Sequence, residues 1–270
     1  MNALHAAKLK RMPALPSPTG LEQLGPPAEQ PVAGDDPRCC GYTDRGVLEY
    51  GAAWSLQRQL VVARKQCAIA DQLLFAEHPH VITMGRSARQ EHLLASREQL
   101  DRLGVALWET DRGGDITYHG PGQLVGYPIV DLRNWKRDVV AYLRALEQVL
   151  IEAAGEFGIP ASRLPGCTGV WVGGAKLAAL GVHVSRWVTS HGFALNVTTN
   201  LRYFDNIVPC GLTKPVTSME QLLGAAPPRR AVIDAVTRHF GRVFGREMIP
   251  AEWETQVQRP EPNQREAIKP

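Results

Sequence analysis

The elements expected along this chain predict an α+β fold in a single domain over residues 39–250, with a mixed β-sheet and flanking helices. Expected strands outnumber expected helices, and their order lacks the regular alternation of a parallel α/β sheet. The chain has 270 residues, 44% hydrophobic and 21% charged, a balance typical of a globular protein with a sizeable core. Residues 1–38 are proline-rich without apolar periodicity and are expected to be disordered, and the polar segment 251–270 is expected to be a loose tail.

The first half of the domain contains expected helices separated by short strands. Apolar residues near helical spacing predict one long helix within residues 52–79, ended by a proline. A strand is expected at 81–84. Ser96 and Gln99 have the spacing of a capping box, which predicts a helix that reaches Leu103.

The second half of the domain contains a clear hairpin signal. Gly173 and Gly174 lie between two apolar runs, and glycine accepts the positive φ values of a tight turn. Lys176 would then stand just past the turn. A helix is expected after an N-cap at Asp138, and another over 229–245.

Charge and cysteine content exclude several classes of function. Thirty Lys and Arg against 27 Asp and Glu leave a net charge of +3, too little for a general nucleic-acid-binding surface. No apolar run approaches the roughly 18 residues of a membrane span, so no membrane segment is expected and the cytoplasm is the default compartment. The odd number of cysteines and the lack of a C-x-x-C pair predict neither a disulfide framework nor a metal site. The five cysteines are Cys39, Cys40, Cys67, Cys167 and Cys210.

One cysteine has an unusual sequence context. Cys210 lies between Pro209 and Gly211, both turn-forming residues, whereas a cysteine kept for packing usually lies inside a helix or strand. The context alone leaves an incidental thiol possible, because reactive cysteines need special surroundings.

Four segments resemble, in the same order, the motifs of the lipoyl(octanoyl) transferase family. The segment RGGDITYHGPGQLVGYPIVDL at 112–132 is similar to the family signature. EHPHVITMGR at 77–86, GVWVGGAKLAALGVHVSRWVTSHGFALNV at 169–197 and FDNIVPCGLTKPVTSME at 204–220 match in turn. Agreement of separate motifs over most of the domain is far more specific than a single glycine-rich segment.

The resemblance implies a fold shared with biotin and lipoate protein ligases, and an acyltransferase activity with Cys210 and Lys176 as catalysts. The implied reaction moves an octanoyl group from octanoyl-acyl carrier protein, through a thioester on the cysteine, to a lysine of an apo lipoyl domain. This is the first step of endogenous protein lipoylation, and the implied acceptors are the lipoyl domains of 2-oxoacid dehydrogenase complexes and the glycine cleavage H protein. No cofactor, metal or ATP is expected, because the acyl group arrives activated.

The chemistry of the two implied catalysts fits this reaction. A thiolate is the nucleophile, and a free thiol is mostly protonated at neutral pH. An ammonium on Lys176 would stabilise the thiolate of Cys210, and apolar strands around the amine would help it to release its proton again. The lysine is then expected to accept a proton from the attacking amine.

The resemblance also implies a substrate pocket built largely by the signature segment. There His119 can act as a general base, an oxyanion donor or a hydrogen-bonding anchor, and Arg112 as a ligand contact or an ion-pair partner. Backbone N–H groups of Gly211 and Leu212 are candidate oxyanion donors. The expected substrate-binding residues are Arg112, Gly113, Gly114, Asp115, Thr117, Tyr118, His119, Gly120, Ala179, Leu180, Gly181, His191, Gly192 and Ala194.

Three other functions stay open on the sequence. An ATP-dependent lipoate or biotin ligase of the same fold would activate a free acid as an adenylate and would need no cysteine in PCGL. A non-catalytic module that binds lipoyl domains or carrier protein would not need both Cys210 and Lys176. A thiol hydrolase would need a Cys, His and Asp or Asn set, whereas the matched partner of the cysteine here is lysine.

Overall fold

The computed structural model of the chain describes residues 36–208 and 214–251. The expected disorder over 1–38 and the expected tail over 251–270 fall almost wholly outside these residues and stay predictions. The turn expected around Cys210 falls outside them as well. The first described strand begins at Cys39, and the last ends at Pro250.

Of the four helices predicted from the sequence, three are confirmed and one is wrong, as described below, and the short helix Met219–Leu223 was not predicted. The hydroxyl of Ser96 accepts a hydrogen bond from the Gln99 N–H, and the Gln99 side chain accepts one from the Ser96 N–H, which is the predicted capping box. Asp138 caps its helix as predicted. Within the described ranges, no helix combines the length and hydropathy that a bilayer span requires. The α-helices are α1 (Tyr50–Lys65), α2 (Arg97–Arg102), α3 (Val139–Gly155), α4 (Met219–Leu223) and α5 (Arg229–Phe244), with short 3₁₀ helices at Gln90–His92, Leu132–Asn134 and Leu201–Asn206.

The strands form two sheets in the described part of the chain. They are β1 (Cys39–Val47), β2 (Asp71–Glu77), β3 (Val81–Met84), β4 (Ala106–Glu109), β5 (Ile116–His119), β6 (Gln123–Ile129), β7 (Ser162–Leu164), β8 (Cys167–Val172), β9 (Ala175–Ser185), β10 (Val188–Asn196) and β11 (Glu247–Pro250). The larger sheet has the order β11-β1-β2-β6-β10-β9-β8-β7, and the smaller has the order β4-β3-β5. In the larger sheet β1 runs parallel to both neighbours, and the other pairs are antiparallel. This mixed sheet with its flanking helices confirms the predicted α+β fold.

One helix prediction is wrong. The helix expected within residues 52–79 ends at Lys65 as α1, and its expected continuation forms β2 inside the larger sheet. Leu73 and Leu74 are consecutive in β2 and lie in separate apolar clusters on the two faces of the sheet. A strand buried on both faces has a continuous apolar run, which spacing alone does not distinguish from a helical segment.

Helices cover both faces of the larger sheet. On one face α3 and α5 pack together, with Leu146 and Phe240 in a shared apolar cluster. On the other face α1 packs through Ala53 and Leu60. Residues of the smaller sheet and of α2 form a third apolar cluster, which includes Ile82. Two strands of the signature segment lie in different sheets: β5 belongs to the smaller sheet and β6 to the larger one.

The hairpin formed by β8 and β9 confirms the prediction made from its two glycines. Gly173 and Gly174 have φ values of +56° and +84°, which glycine adopts without strain. Trp171 on β8 pairs with Lys176 on β9, so the lysine stands just past the turn.

The larger sheet ends in short strands on both sides. β7, at one edge, has three residues. β11, at the other edge, has four residues and ends in Pro250.

Candidate active site

The signature segment and the middle of β9 and β10 line a half-open cleft of about 470 Å³, open solvent included, called the large cavity below. Val125, Leu180 and Phe193 contribute apolar wall. Eleven predicted substrate-binding residues line it: Arg112, Gly114, Asp115, Thr117, His119, Ala179, Leu180, Gly181, His191, Gly192 and Ala194.

A second, smaller cavity contains the predicted catalytic lysine and is called the lysine cavity. Lys176 lines it together with Gln123 and Asn196. Thr117, Ala179 and Ala194 line both cavities, so the two adjoin each other.

Lys176 is buried, with 6% of its surface exposed, and its Nζ lies 4.8 Å from the centre of the Trp171 ring. Trp171 pairs with Lys176 and Val170 with Ala178, so β9 has one extra residue at this point, a β-bulge. Residues three apart in a regular strand face opposite sides of the sheet. The bulge lets Lys176 and Ala179 line the same cavity.

The segment that follows the PCGL motif is hydrogen-bonded to the backbone of Lys176. The Lys176 N–H donates to the Pro215 carbonyl over 2.8 Å, and its carbonyl accepts from the Thr217 N–H over 2.9 Å. Val216 thereby forms a parallel bridge with Lys176. These residues extend the larger sheet beside the lysine, where β10 no longer pairs with β9.

Burial keeps His119 neutral, because desolvation lowers its pKa to about 3. Its Nδ1 lies 2.8 Å from Oε1 of Gln123, whose amide nitrogen donates to the Tyr118 carbonyl. The amide oxygen must therefore accept from Nδ1–H of His119, which leaves Nε2 to accept from the Thr83 hydroxyl at 3.4 Å. Of the roles open to His119, this geometry favours the hydrogen-bonding anchor.

Arg112 joins the signature segment to β3. Its Nη2 donates to the carbonyl of Thr83 over 2.6 Å and to the hydroxyl of the same residue over 2.9 Å. Its Nη1 donates to the Gly113 carbonyl. The guanidinium is buried and also lines the large cavity, so it can both fix the loop and face a ligand.

Asp111 and His191 form a hydrogen-bonded pair beside the large cavity. Nε2 of His191 lies 2.7 Å from a carboxylate oxygen of Asp111, and this hydrogen bond is the main reason that the pKa of Asp111 falls to about 2. Burial lowers the pKa of His191. The His191 backbone, with φ of +55°, donates its N–H to the side chain of Gln57 over 2.8 Å. The pair therefore holds the ring in one orientation.

Three predicted substrate-binding residues do not line the large cavity. Gly113 donates its N–H to the Val182 carbonyl. Tyr118 is buried, with its hydroxyl 2.7 Å from Nδ1 of His80. A Cβ at Gly120 would fall 1.8 Å from that hydroxyl, so only glycine fits. These residues shape the loop, and any contact with substrate stays a prediction.

Several lining residues were not predicted from the sequence. The alternation of β6 was the available signal, because residues two apart in a strand face the same side. Gln123, Val125 and Tyr127 follow that spacing directly after the GPG turn. The lining residues that the prediction missed are Tyr50, Val125, Tyr127 and Phe193 in the large cavity, and Gln123, Asn196, Phe204 and Val216 in the lysine cavity.

The described cysteines are poor candidates for the nucleophile. Burial raises the pKa of Cys40 and of Cys39, so both thiols stay protonated at neutral pH. Cys67 is exposed and Cys167 is partly buried, and neither lines one of the two cavities. Cys210 lies outside the described residues, and its pairing with Lys176 stays a prediction.

We expect the free energy of unfolding to fall as the pH drops below about 6.5. Burial lowers the folded-state pKa of His78, His119 and His191, in His119 to about 3. Below pH 6.5 the unfolded chain binds protons that the folded chain does not, so His119 alone removes up to about 1.4 kcal/mol per pH unit. Asp111, with a lowered pKa, adds a loss in the same direction below about pH 4.

Urea unfolding at pH 7, 6 and 5 measures this slope. His119→Gln cannot titrate and should give a shallower pH dependence than the parent chain. A free energy of unfolding that stays constant over this range would show that these histidines are accessible to protons in the folded state.

Comparison with known proteins identifies the family. The model of the lipoyl protein ligase A/B catalytic domain matches residues 49–241. The octanoyltransferase of Solibacter usitatus is 59% identical over 213 residues, which cover 79% of this chain and 96% of the relative. This chain belongs to the octanoyltransferase family. A second octanoyltransferase, from Koribacter versatilis, is 54% identical over 210 residues, 76% of this chain and 84% of that relative.

Solved structures share the fold of this octanoyltransferase-family chain. Lipoate-protein ligase A bound with ATP superposes with a TM-score of 0.63 at 16% identity, covering 81% of this chain and 89% of the other. The bi-partite lipoate protein ligase of Thermoplasma acidophilum superposes with a TM-score of 0.64 at 15% identity, covering 79% and 86%. These likenesses confirm the predicted ligase-like fold.

Proposed function

We propose that this chain transfers an octanoyl group from octanoyl-acyl carrier protein to a lysine of apo lipoyl domains, through a thioester on Cys210. The proposed acceptors are the lipoyl domains of 2-oxoacid dehydrogenase complexes and the glycine cleavage H protein, in the cytoplasm. One observation carries the proposal. A buried lysine, Lys176, lines a cavity that adjoins a larger, partly apolar one, and the segment after the PCGL motif is bonded to its backbone.

The position of Val208 supports a site for Cys210 beside the large cavity. The Val208 N–H donates to the carbonyl of His92 over 2.8 Å. His92 contacts the carboxylate of Asp115 over 2.5 Å, and Asp115 lines the large cavity. Two residues of chain span at most about 7 Å, and Cys210 follows Val208 by two positions in the sequence, which is why we propose this location for the thiol.

In the first proposed step, the thiolate of Cys210 attacks the carbonyl carbon of the octanoyl thioester. The tetrahedral intermediate collapses with loss of the carrier thiolate, which takes a proton from the Lys176 ammonium. A new carbon–sulfur bond to the enzyme has then replaced the one to the carrier, and the lysine is left as a neutral amine.

In the second step, the lysine amine of the lipoyl domain attacks the carbonyl carbon of the acyl-enzyme. Lys176 accepts the proton that this nitrogen loses, and the carbon–sulfur bond to Cys210 breaks. The products are an amide on the lipoyl domain and the original thiolate–ammonium pair. No nucleotide is needed, because the thioester is an activated acyl group and its conversion to an amide is downhill in free energy.

The large cavity suits an acyl chain. Val125, Leu180 and Phe193 form an apolar part of its wall. His119 is uncharged at neutral pH, because burial lowers its pKa to about 3. The adjoining lysine cavity would receive the carbonyl end of the chain. The hydrocarbon tail would then be desolvated while the thioester faces Lys176.

Mass spectrometry of the protein mixed with octanoyl-acyl carrier protein, without ATP, tests the proposal. We expect one octanoyl group per chain, mapped by peptide analysis to Cys210 and released by hydroxylamine, as a thioester is. Addition of apo lipoyl domain should move the group to a lysine of that domain.

Two matched variants make the result interpretable. Cys67→Ala removes the exposed cysteine and should load normally, whereas Cys210→Ala should not load at all. An adduct on Cys67 or Cys167 would overturn the assignment of the nucleophile. Loading that requires ATP and free octanoate would identify a ligase instead.

A further inference from the structure

We infer that Gln123 and Asn196 are positioning residues, whose side-chain amides hold Pro215–Thr217, and with it the chain that carries Cys210, against Lys176. The inference rests on the proposed function, because it assumes that Cys210 and Lys176 act together. Neither amide needs to touch the substrate for this role.

The two amides form consecutive hydrogen bonds toward the lysine. Nε2 of Gln123 donates to Oδ1 of Asn196 over 2.9 Å, and Nδ2 of Asn196 donates to the Thr217 carbonyl over 2.9 Å. The N–H of Thr217 then donates to the Lys176 carbonyl over 2.9 Å. Gln123, Asn196, Thr217 and Lys176 are all buried, so water does not compete for these bonds.

Fixed acceptors give both amides a single orientation. The carbonyl of Tyr118 accepts from Gln123, and the carbonyl of Thr217 accepts from Asn196, so flipping either amide would set two oxygens against each other. His119 then donates to Gln123. The bonds from His119 to the Thr217 carbonyl therefore all point the same way, and bonds that pass through one amide group strengthen each other.

The same direction continues on the other side of His119. Thr83 donates to His119, and the buried guanidinium of Arg112 donates to Thr83. The series therefore starts from a cation on the signature segment and ends at the backbone of Lys176. It couples the wall of the large cavity to the segment that follows Cys210.

Asn196 occupies the position where this link is needed. It is the last residue of β10, and the pairing of β10 with β9 ends at Leu195 and Ala178. Beyond that point, Pro215–Thr217 takes the place of β10 beside Lys176. The Asn196 amide joins the end of β10 to the segment that replaces it, so its loss should loosen that segment while leaving the sheet paired.

The test measures how fast iodoacetamide alkylates Cys210 at pH 7, with the exposed Cys67 of the same molecule as internal reference. Alkylation requires a thiolate, so the rate reports how well Lys176 is placed to stabilise it. Asn196→Leu should slow alkylation of Cys210 on the order of tenfold or more, since misplacement by about 1 Å can cost up to 10² in rate. Gln123→Leu, one bond further away, should slow it less. Thr237→Val, a buried hydroxyl on α5 that lines neither cavity, is the control and should change nothing.

A double-mutant cycle separates positioning from general destabilisation. Lys176→Ala should itself slow alkylation, and adding Asn196→Leu to it should cause no further loss, because nothing remains to be positioned. An Asn196→Leu effect of the same size in both backgrounds would overturn the inference, as would no effect in the parent chain. Lys176→Ala without effect would instead overturn the proposed pair. If Asn196→Leu fails to fold, Asn196→Asp keeps the size but cannot donate to Thr217, and the same cycle applies.

Discussion

Lys176→Arg should load an octanoyl group onto Cys210 at a measurable rate but fail to pass it on. Arginine keeps the positive charge that favours the thiolate, and it can stack on the Trp171 ring that lies 4.8 Å from Nζ of the lysine. It stays protonated at any accessible pH, so it cannot accept a proton from the incoming amine. Lys176→Ala should slow both half-reactions, because charge and base are both lost.

The experiment separates the two steps. Single-turnover loading from octanoyl-acyl carrier protein is followed first, and the loaded enzyme is then mixed with apo lipoyl domain. Transfer by Lys176→Arg should fall by about 10² to 10⁴, the loss expected when a general base is removed. Lys136→Ala, at an exposed lysine, is the matched control for loss of a positive charge. Transfer at the parental rate by both Lys176 variants would reduce the lysine to a buried structural cation.

Asp71→Asn should destabilise the fold by about 3–5 kcal/mol, the cost of breaking a buried ion pair from one side. The Asp71 side chain is fully buried, and its two oxygens each lie 2.9 Å from an arginine, Arg64 at the end of α1 and Arg246 just before β11. One oxygen also accepts from the N–H of Asp131. Asparagine has nearly the same shape but removes the negative charge that both buried guanidinium groups contact.

Urea unfolding measures the change, which should appear in the midpoint with the slope unchanged. Asp234→Asn is the matched control, because Asp234 pairs with Arg230 on an exposed turn of α5 and such pairs contribute only about 0.3–0.5 kcal/mol. An effect of Asp71→Asn as small as that of the control would mean that water reaches Arg64 or Arg246 in the folded chain.

Local signals in the sequence predicted much of the fold. The capping box at Ser96 and the glycine pair at 173–174 specify backbone geometry with few residues, and both were confirmed. The prediction failed at β2, because a strand buried on both faces has no alternation to distinguish it from a helix.

The candidate site depends more on long-range pairing. Gln123 and Asn196 are 73 positions apart and meet only because β6 pairs with β10. The bulge at Lys176 depends on how β9 pairs with β8, which no short window of sequence determines. The resemblance to a family supplied residues such as Ala179, but it gave no reason why that residue and Lys176, three positions apart, share a wall.

The short strands at the two edges of the larger sheet have a consequence for behaviour at high protein concentration. Long, flat edge strands offer unpaired N–H and C=O groups on which other chains can assemble into aggregates. β7 offers three residues, and β11 offers four, of which Pro250 has no N–H to donate. Both edges of this eight-stranded sheet are therefore poor templates for a further strand. We expect the chain to have little tendency to aggregate by adding strands at these edges.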